Sequence, residues 1–319
     1  MISLGRRFPC ATRTLKAGAS ERFWGGVTLV GMAGLLGVPL RPADAEPPPE
    51  MTTIRLIYSP GLCISPMCVA EELLQGEGFT TVQYLKTSAA STYKALASGE
   101  AHLTVDFAAP LILRVDTREP LVILAGVHVG CFELFGTDRV HAIRDLKGKS
   151  VAVTEPGGPD HVFLASMVAY VGLDPGKDTH WATHPPAEAV QLLTDGKIDA
   201  FLAFAPFPQE LRAKGFGRSM VNSAVDRPWS QYFCCMVAGN PAFVREHPVA
   251  TKRALRAILK ATDLCAQEPE RVARFLVDKD YASRYDYALQ VMKELPYNVW
   301  REYDPEDTVR FYALRLYEG

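Results

Sequence analysis

The chain lacks an apolar run long enough to cross a membrane. Its longest candidate, Val27 to Leu40, is interrupted by Gly31, Gly34, Gly37 and Pro39, short of the roughly 20 apolar residues a spanning helix needs. It also lacks a basic surplus: 34 Lys and Arg stand against 36 Asp and Glu. Without residues 1–45 the balance is 28 against 34, a formal charge of −6. Such a surface repels a phosphate backbone and excludes nucleic acid as the natural partner. There is no Gly-x-Ser-x-Gly turn, no Gly-x4-Gly-Lys loop and no His-Glu-x-x-His helix, so common hydrolase, nucleotide-binding and metalloprotease patterns are missing. Cysteines and histidines do not recur in the paired spacing of a zinc site. The pair His128 and Cys131 has no third residue to support catalysis. No metal, cofactor or catalytic residue is expected.

What residues 1–45 do have is the layout of an export leader. Arg6, Arg7, Arg13, Lys16 and Arg22 precede the apolar run, and Ala43-Asp44-Ala45 is a small-x-small cleavage site. Cleavage after Ala45 and a bacterial periplasmic destination follow as expectations. Arg6-Arg7 fits the twin-arginine route and Phe8-Pro9 departs from its consensus, so that route and general secretion both stay open. Six cysteines remain after cleavage. In an oxidising compartment Cys63 and Cys68 can pair on one loop. Cys234 and Cys235 point to opposite faces of a strand, which disfavours a bond between them. Buried free thiols are the commoner fate.

Past a Pro-rich linker at 46–51, the chain repeats itself at an offset of about 97 residues. Tyr93-Lys-Ala-Leu-Ala-Ser-Gly99 through Phe107-Ala108 recurs in outline as Val190-Gln-Leu-Leu-Thr-Asp-Gly196 through Phe204-Ala205. Ile54 to Gly61 likewise corresponds to Val151 to Gly157. Each copy reads as strand, loop, helix ending at Gly, then strand, which predicts parallel sheets. The fold class is therefore α/β, with two doubly wound lobes and a cleft between them. Lobe one is read as 52–145 plus 236–319, and lobe two as 146–235. Tyr232 to Ala238 is read as the return crossing, and the amphipathic helices after Pro241 as a C-terminal tail on lobe one.

This layout resembles the type II periplasmic substrate-binding proteins, in the branch serving sulfonates, nitrate, taurine and thiamine pyrimidines. The residues carrying the resemblance are Leu96-Ala-Ser-Gly99-Glu-Ala-His-Leu, Ile143-Arg-Asp-Leu-Lys-Gly148-Lys-Ser-Val-Ala-Val153, and Phe233-Cys-Cys-Met-Val-Ala-Gly-Asn240. It implies a periplasmic solute-binding component of an ABC importer, acting as a monomer and delivering a small molecule to a permease. The fold is shared with a thiamine-pyrimidine synthase, the alternative reading. Aligned on Gly99, that enzyme's cofactor Lys and the His four residues later correspond to Asp106 and Pro110 here, which speaks against catalysis.

In doubly wound lobes, ligands meet the loops at the carboxyl ends of strands. Those loops supply Ser59, Leu62 and Ser88 as candidates. Phe107, Phe204, Phe207 and Tyr232 offer flat apolar faces. Gly158, beside Gly157 at a helix start, offers backbone N–H groups to an anionic group, and Asp160 competes for the same donors. Asp106 suits an amine or ring N–H, His128 and His161 can accept or donate, and Cys234 completes the set. No Arg lies in these loops, so a partly aromatic or heterocyclic ligand is favoured over a bare anion.

Overall fold

A computed structural model describes residues 46–58, 61–216 and 219–318. The expected leader and Ser59 lie outside the described residues. The first sheet is built by β1 (Thr53–Tyr58), α1 (Ser65–Val69), α2 (Glu71–Gly76), β2 (Thr81–Lys86), α3 (Ala89–Ser98), β3 (Leu103–Phe107), α4 (Ala108–Asp116) and β4 (Val122–Val129). The chain then changes lobe. β5 (Phe132–Gly136), β6 (Lys149–Val153), α5 (Pro159–Tyr170), β7 (Thr179–Thr183), α6 (Pro186–Thr194), β8 (Ala200–Phe204), α7 (Phe207–Ala213) and β9 (Ser219–Asn222) form the second. It returns through β10 (Phe233–Gly239) into α8 (Pro241–Glu246), α9 (Pro248–Gln267), α10 (Pro269–Asp278), α11 (Tyr285–Glu294) and α12 (Pro305–Glu318).

The 97-residue repeat is visible as matching topology. The sheets are ordered β2-β1-β3-β10-β4 and β7-β6-β8-β5-β9. In each, the first three strands are parallel and the fourth runs against both neighbours. The expectation of purely parallel sheets is corrected by that fourth strand. It is the crossing strand, entering from the other lobe and so running the opposite way. The change of lobe comes at Gly130-Cys131, before β5, and not at residue 145 as the sequence suggested. Phe132–Gly136 is too short a run to separate from its loop by pattern alone, and only its pairing with β8 and β9 assigns it.

Helix ends follow local chemistry. Ser88 and Ser91 cap each other's backbone at the start of α3, satisfying N–H groups that no helical carbonyl reaches. Gly99, at φ 78°, closes α3 through a bond from its N–H to Leu96 O at 3.1 Å, and Gly196, at φ 68°, closes α6 in the same way. The segment read as a linker is pinned down: the Glu50 carboxylate accepts from Val249 N at 2.9 Å and Ala250 N at 2.7 Å, capping α9. The tail packs on lobe one through α9, which lies against α1, α2 and β4, while α12 spans α4 and α5 and so touches both lobes. No described helix is long and apolar enough to cross a membrane.

The two crossings lie side by side. Ser223 Oγ accepts from Cys131 N (3.1 Å) and Phe132 N (2.9 Å) and donates to Phe132 O (2.9 Å). Gly130 sits at φ 58°, and a Cβ there would come within 2.2 Å of Ala224 Cα. Backbone faces backbone, so neither side can yield. Gly130→Ala should therefore lower stability by about 2–3 kcal/mol, read as a lower urea midpoint. An unchanged midpoint would show that the crossings tolerate separation.

Candidate functional site

A cavity of about 510 Å³ lies between the lobes at the carboxyl ends of the parallel strands, within the range used for small organic ligands. Tyr58, Leu62, Asp106 and Phe107 come from β1, β3 and their loops in lobe one; Thr154, Glu155, Phe204 and Phe207 face them from lobe two. Phe107 and Phe204 occupy equivalent positions of the internal repeat. Their rings meet edge-on at 6.5 Å, with Phe132 of the crossing strand 4.7 Å from the first and 6.2 Å from the second. Leu62 N–H donates to Ala205 O across the lobes at 3.3 Å. The internal repeat thus places two matching aromatic strand ends against one another, and this forms the apolar floor.

Asp106 is the buried charge of the floor, 6% exposed. Its Oδ1 accepts from Phe107 N at 2.7 Å. Burial pushes its carboxyl up to about 6, while the Phe107 N–H and the neighbouring Tyr93 hydroxyl pull in the other direction. Asp160, also buried, is engaged locally. Its oxygens accept from Thr154 N (2.6 Å), Thr154 Oγ1 (2.7 Å) and His161 N (3.0 Å). Gly157 N donates to His161 Nδ1 at 3.0 Å, and Gly158 N to Glu155 O at 3.0 Å. The helix start that the Gly157-Gly158 pair was expected to open to an anion is thus occupied by the protein's own acceptors.

Leu62, Ser88, Asp106, Phe107, Asp160, Phe204 and Phe207 all line the cavity. Ser88 does so with its hydroxyl already used in the α3 cap. The other candidates sit elsewhere. Gly158 caps α5 just behind the wall. His161 packs edge-on against Trp181 at 4.7 Å. Tyr232 stacks on Phe311 of α12 at 3.8 Å. Cys234 Sγ lies 2.9 Å from Cys131 Sγ, and His128 is fully buried. The last three misplacements share one cause. They lie at the buried β4 and β10 pairing or just before it, where the tail helices expected on lobe one cover them.

Strand-end reasoning also missed one wall. Tyr281, Ser283, Arg284 and Tyr287 reach the cavity from the junction of α10 and α11. The only sequence signal was the run of tyrosines in Tyr281-Ala-Ser-Arg-Tyr285-Asp-Tyr287. Arg284 supplies the guanidinium that the strand-end loops lack. It is paired with Asp286, lies 4.0 Å over the Tyr287 ring and remains about half exposed. Histidine and cysteine also turn out to be neighbours: Cys63, His128 and Cys235 are brought together in the core. No spacing rule anticipates this, because the three are 65 and 107 residues apart in the chain.

The NMT1-like family pattern matches residues 47–276, well over half of the chain. The chain belongs to the NMT1-like family. Among curated relatives, the nitrate/nitrite binding protein NrtA of Synechocystis is 24% identical over 266 residues, covering 75% of this chain and 59% of its own length. The bicarbonate-binding protein CmpA of Synechococcus elongatus is 26% identical over 130 residues, 40% of this chain and 28% of its own. The chain therefore spans under two thirds of these relatives. The crystal structure of Synechocystis NrtA superposes with a TM-score of 0.65 at 22% identity, covering 77% of this chain and 71% of that one. The aliphatic sulphonate binding protein SsuA of Escherichia coli does so at 0.64 and 18%, covering 83% and 88%. The fold of this NMT1-like protein is thus the two-lobed fold of periplasmic binding proteins.

Asp106 makes this member's stability depend on pH. Its folded carboxyl titrates above the ordinary 3.8, so its contribution is fully present below that value and is lost as pH rises through about 6. Relative to Asp106→Asn, the wild type should lose roughly 3 kcal/mol at most, because each pH unit between the unfolded and folded titration points carries about 1.4 kcal/mol. Unfolding both proteins at several pH values from 4 to 7 checks this, and parallel stability curves would refute it.

Proposed function

We propose that this chain is the solute-binding component of an ABC importer. In this reading it works in the periplasm as a monomer, holds a small organic cation or N–H-rich heterocycle in its interlobe cleft, and presents it to a permease. One observation carries the ligand class: a buried carboxylate, Asp106, set in a floor of aromatic faces. A protonated amine or ring N–H pairs with the carboxylate, and a flat ring or cationic head lies against Phe107, Phe204, Phe207 and the tyrosines. NrtA, CmpA and SsuA are named for inorganic anions or sulphonates. Here such an anion would face Asp106, Glu155 and Asp160, beside a helix start whose donors are used and an Arg284 already paired. Arg284 supports the second reading: released from Asp286, it would meet a sulfonate at the rim with two parallel N–H donors.

Catalysis is not supported. Asp106 and Pro110 stand where the related synthase has Lys and His, and the relatives named above are binding proteins. Export rests on the basic leader and the Ala43-Asp44-Ala45 site. N-terminal sequencing of the protein from periplasm should begin at Glu46, and recovery of the intact chain only from cytosol would remove this part of the proposal.

Calorimetry against aromatic amines, pyrimidines, sulfonates and nitrate tests the ligand class. Amines or pyrimidines should bind, and Asp106→Ala should weaken them by about 1.5–3 kcal/mol, the range for a hydrogen bond to a charged group. The variant should stay folded, since it removes a buried charge from the cleft wall. A sulfonate or nitrate bound equally well by wild type and Asp106→Ala would transfer the site to the anion reading.

A further inference from the structure

We propose that Cys63, His128 and Cys235 form a buried binding site for a thiophilic d10 metal ion, Zn(II) or Cu(I), beneath the cleft floor. One ligand atom from each lies within 4.8 Å of the other two. All three residues are at most 1% exposed. The separations suit a shared ion, which would draw sulfur to about 2.3 Å and nitrogen to about 2.0 Å. Two thiolates and an imidazole are the soft donor set that selects such ions over Mg(II) or Ca(II).

The histidine is arranged as a ligand. His128 Nδ1 lies 3.2 Å from Val129 O and 3.1 Å from Gly130 O. Carbonyl oxygens only accept, so Nδ1 carries the hydrogen and Nε2 of the neutral ring presents a lone pair. That Nε2 is buried and has no hydrogen-bond partner. A buried acceptor left unpaired is costly, and a metal ion resolves the cost in the usual arrangement, with the second ring nitrogen held by a backbone carbonyl. Tyr297 reinforces the cradle. Its hydroxyl is shared between Leu62 O (3.2 Å) and Cys63 O (2.9 Å), and its ring meets His128 edge-on at 5.1 Å. Cys235 is registered opposite His128 across β10 and β4, so two of the three ligands sit on paired strands and cannot drift apart.

Binding is balanced simply. The two thiols lose their protons to solvent, as does His128 where its ring is protonated, and the sulfur and Nε2 lone pairs enter the bonds to the ion, leaving His128 neutral. With Zn(II) the three-ligand site has no net charge, which lets it sit in an apolar core. Cys131 and Cys234 also group with Cys235, and either can supply a fourth sulfur where zinc demands tetrahedral coordination. The site has a consequence for the cleft. Cys63 follows Leu62, which lines the cavity and bonds to Ala205, and Cys235 is registered with Phe107. An ion would therefore stiffen two parts of the ligand floor.

The mature protein, purified without chelator, should carry about one zinc or copper ion per chain by elemental analysis, and the element found distinguishes the two. Stripped under reductant and given Co(II), it should develop a thiolate-to-cobalt charge-transfer band, and reloading should raise its melting temperature. Cys63→Ser and Cys235→Ser should each weaken uptake by more than the roughly 100-fold that outer contacts command. Cys68→Ser, buried but outside the cluster, should retain it and so controls for folding. A wild-type chain that carries no ion and takes up none of Co(II), Zn(II) or Cu(I) would overturn the proposal without reference to any variant. So would uptake by Cys63→Ser and Cys235→Ser equal to that of the wild type, or a native Cys63–Cys235 disulfide found by non-reducing mass mapping.

Discussion

The constraint on which the rest depends is the pair of crossings. The chain passes from lobe one to lobe two at Gly130-Cys131 and returns past Ser223-Ala224, with one hydroxyl, that of Ser223, bonded to the first crossing at three points. The first crossing continues directly into β5 and the return, after the turn at Trp229–Gln231, into β10, so each lobe contains a strand that follows a passage between them. That strand is central: β10 is buried along its whole length between β3 and β4. Lobe one's sheet is completed only after the chain has passed through lobe two and returned in β10. The antiparallel fourth strand, the adjacency of the lobes and the position of the cleft all follow from it.

The cleft draws its chemistry from the internal repeat and from one difference of charge between its two copies. Parallel strands leave their carboxyl ends, and therefore their loops, on one side of each sheet. Facing lobes bring Phe107 and Phe204 together as structural equivalents. The residue before each differs: Asp106 in lobe one, Ala203 in lobe two. The carboxylate of Asp106, which has no counterpart at the equivalent position of lobe two, therefore breaks the symmetry of the floor. A second polar connection spans the lobes outside the cavity, where Arg212 of α7 reaches Glu133 of β5 and Glu294 of α11, both at 2.6 Å. Glu133 is largely buried, and burial raises its carboxyl while Arg212 opposes the rise. The Glu294 arm is more exposed, and pairs of that kind contribute little stability. They do orient the two lobes where the tail helices meet α7.

Membership of the NMT1-like family goes with the two-lobed fold, and the side chains of this chain set the charge around its own cleft. Its helix start at Gly158 is filled from within by Asp160, Glu155 and His161, and its cavity guanidinium is paired with Asp286. Both features withdraw positive potential from the place where an anion would sit.

Periodicity and punctuation made much of the architecture legible in the sequence. Glycines 99 and 196 mark the helix ends, strands such as Leu103–Phe107 and Ala200–Phe204 are short apolar runs after them, and the common offset between the copies implied two lobes. Leu62, Asp106, Phe107, Phe204 and Phe207 were legible as cleft residues for the same reason, because a strand end in a parallel sheet has a known destination. Local pattern could not give the sheet assignment of Phe132–Gly136, the helices α4 and α7 that begin directly at strand ends, or the wall from Tyr281 to Tyr287. Each depends on which distant element packs there. The meeting of Cys63, His128 and Cys235 is the clearest case. Their residue types and spacing carry no signal, and only the insertion of β10 beside β4, beneath the Leu62–Ile64 turn, puts two thiols and an unpaired ring nitrogen in one dry place.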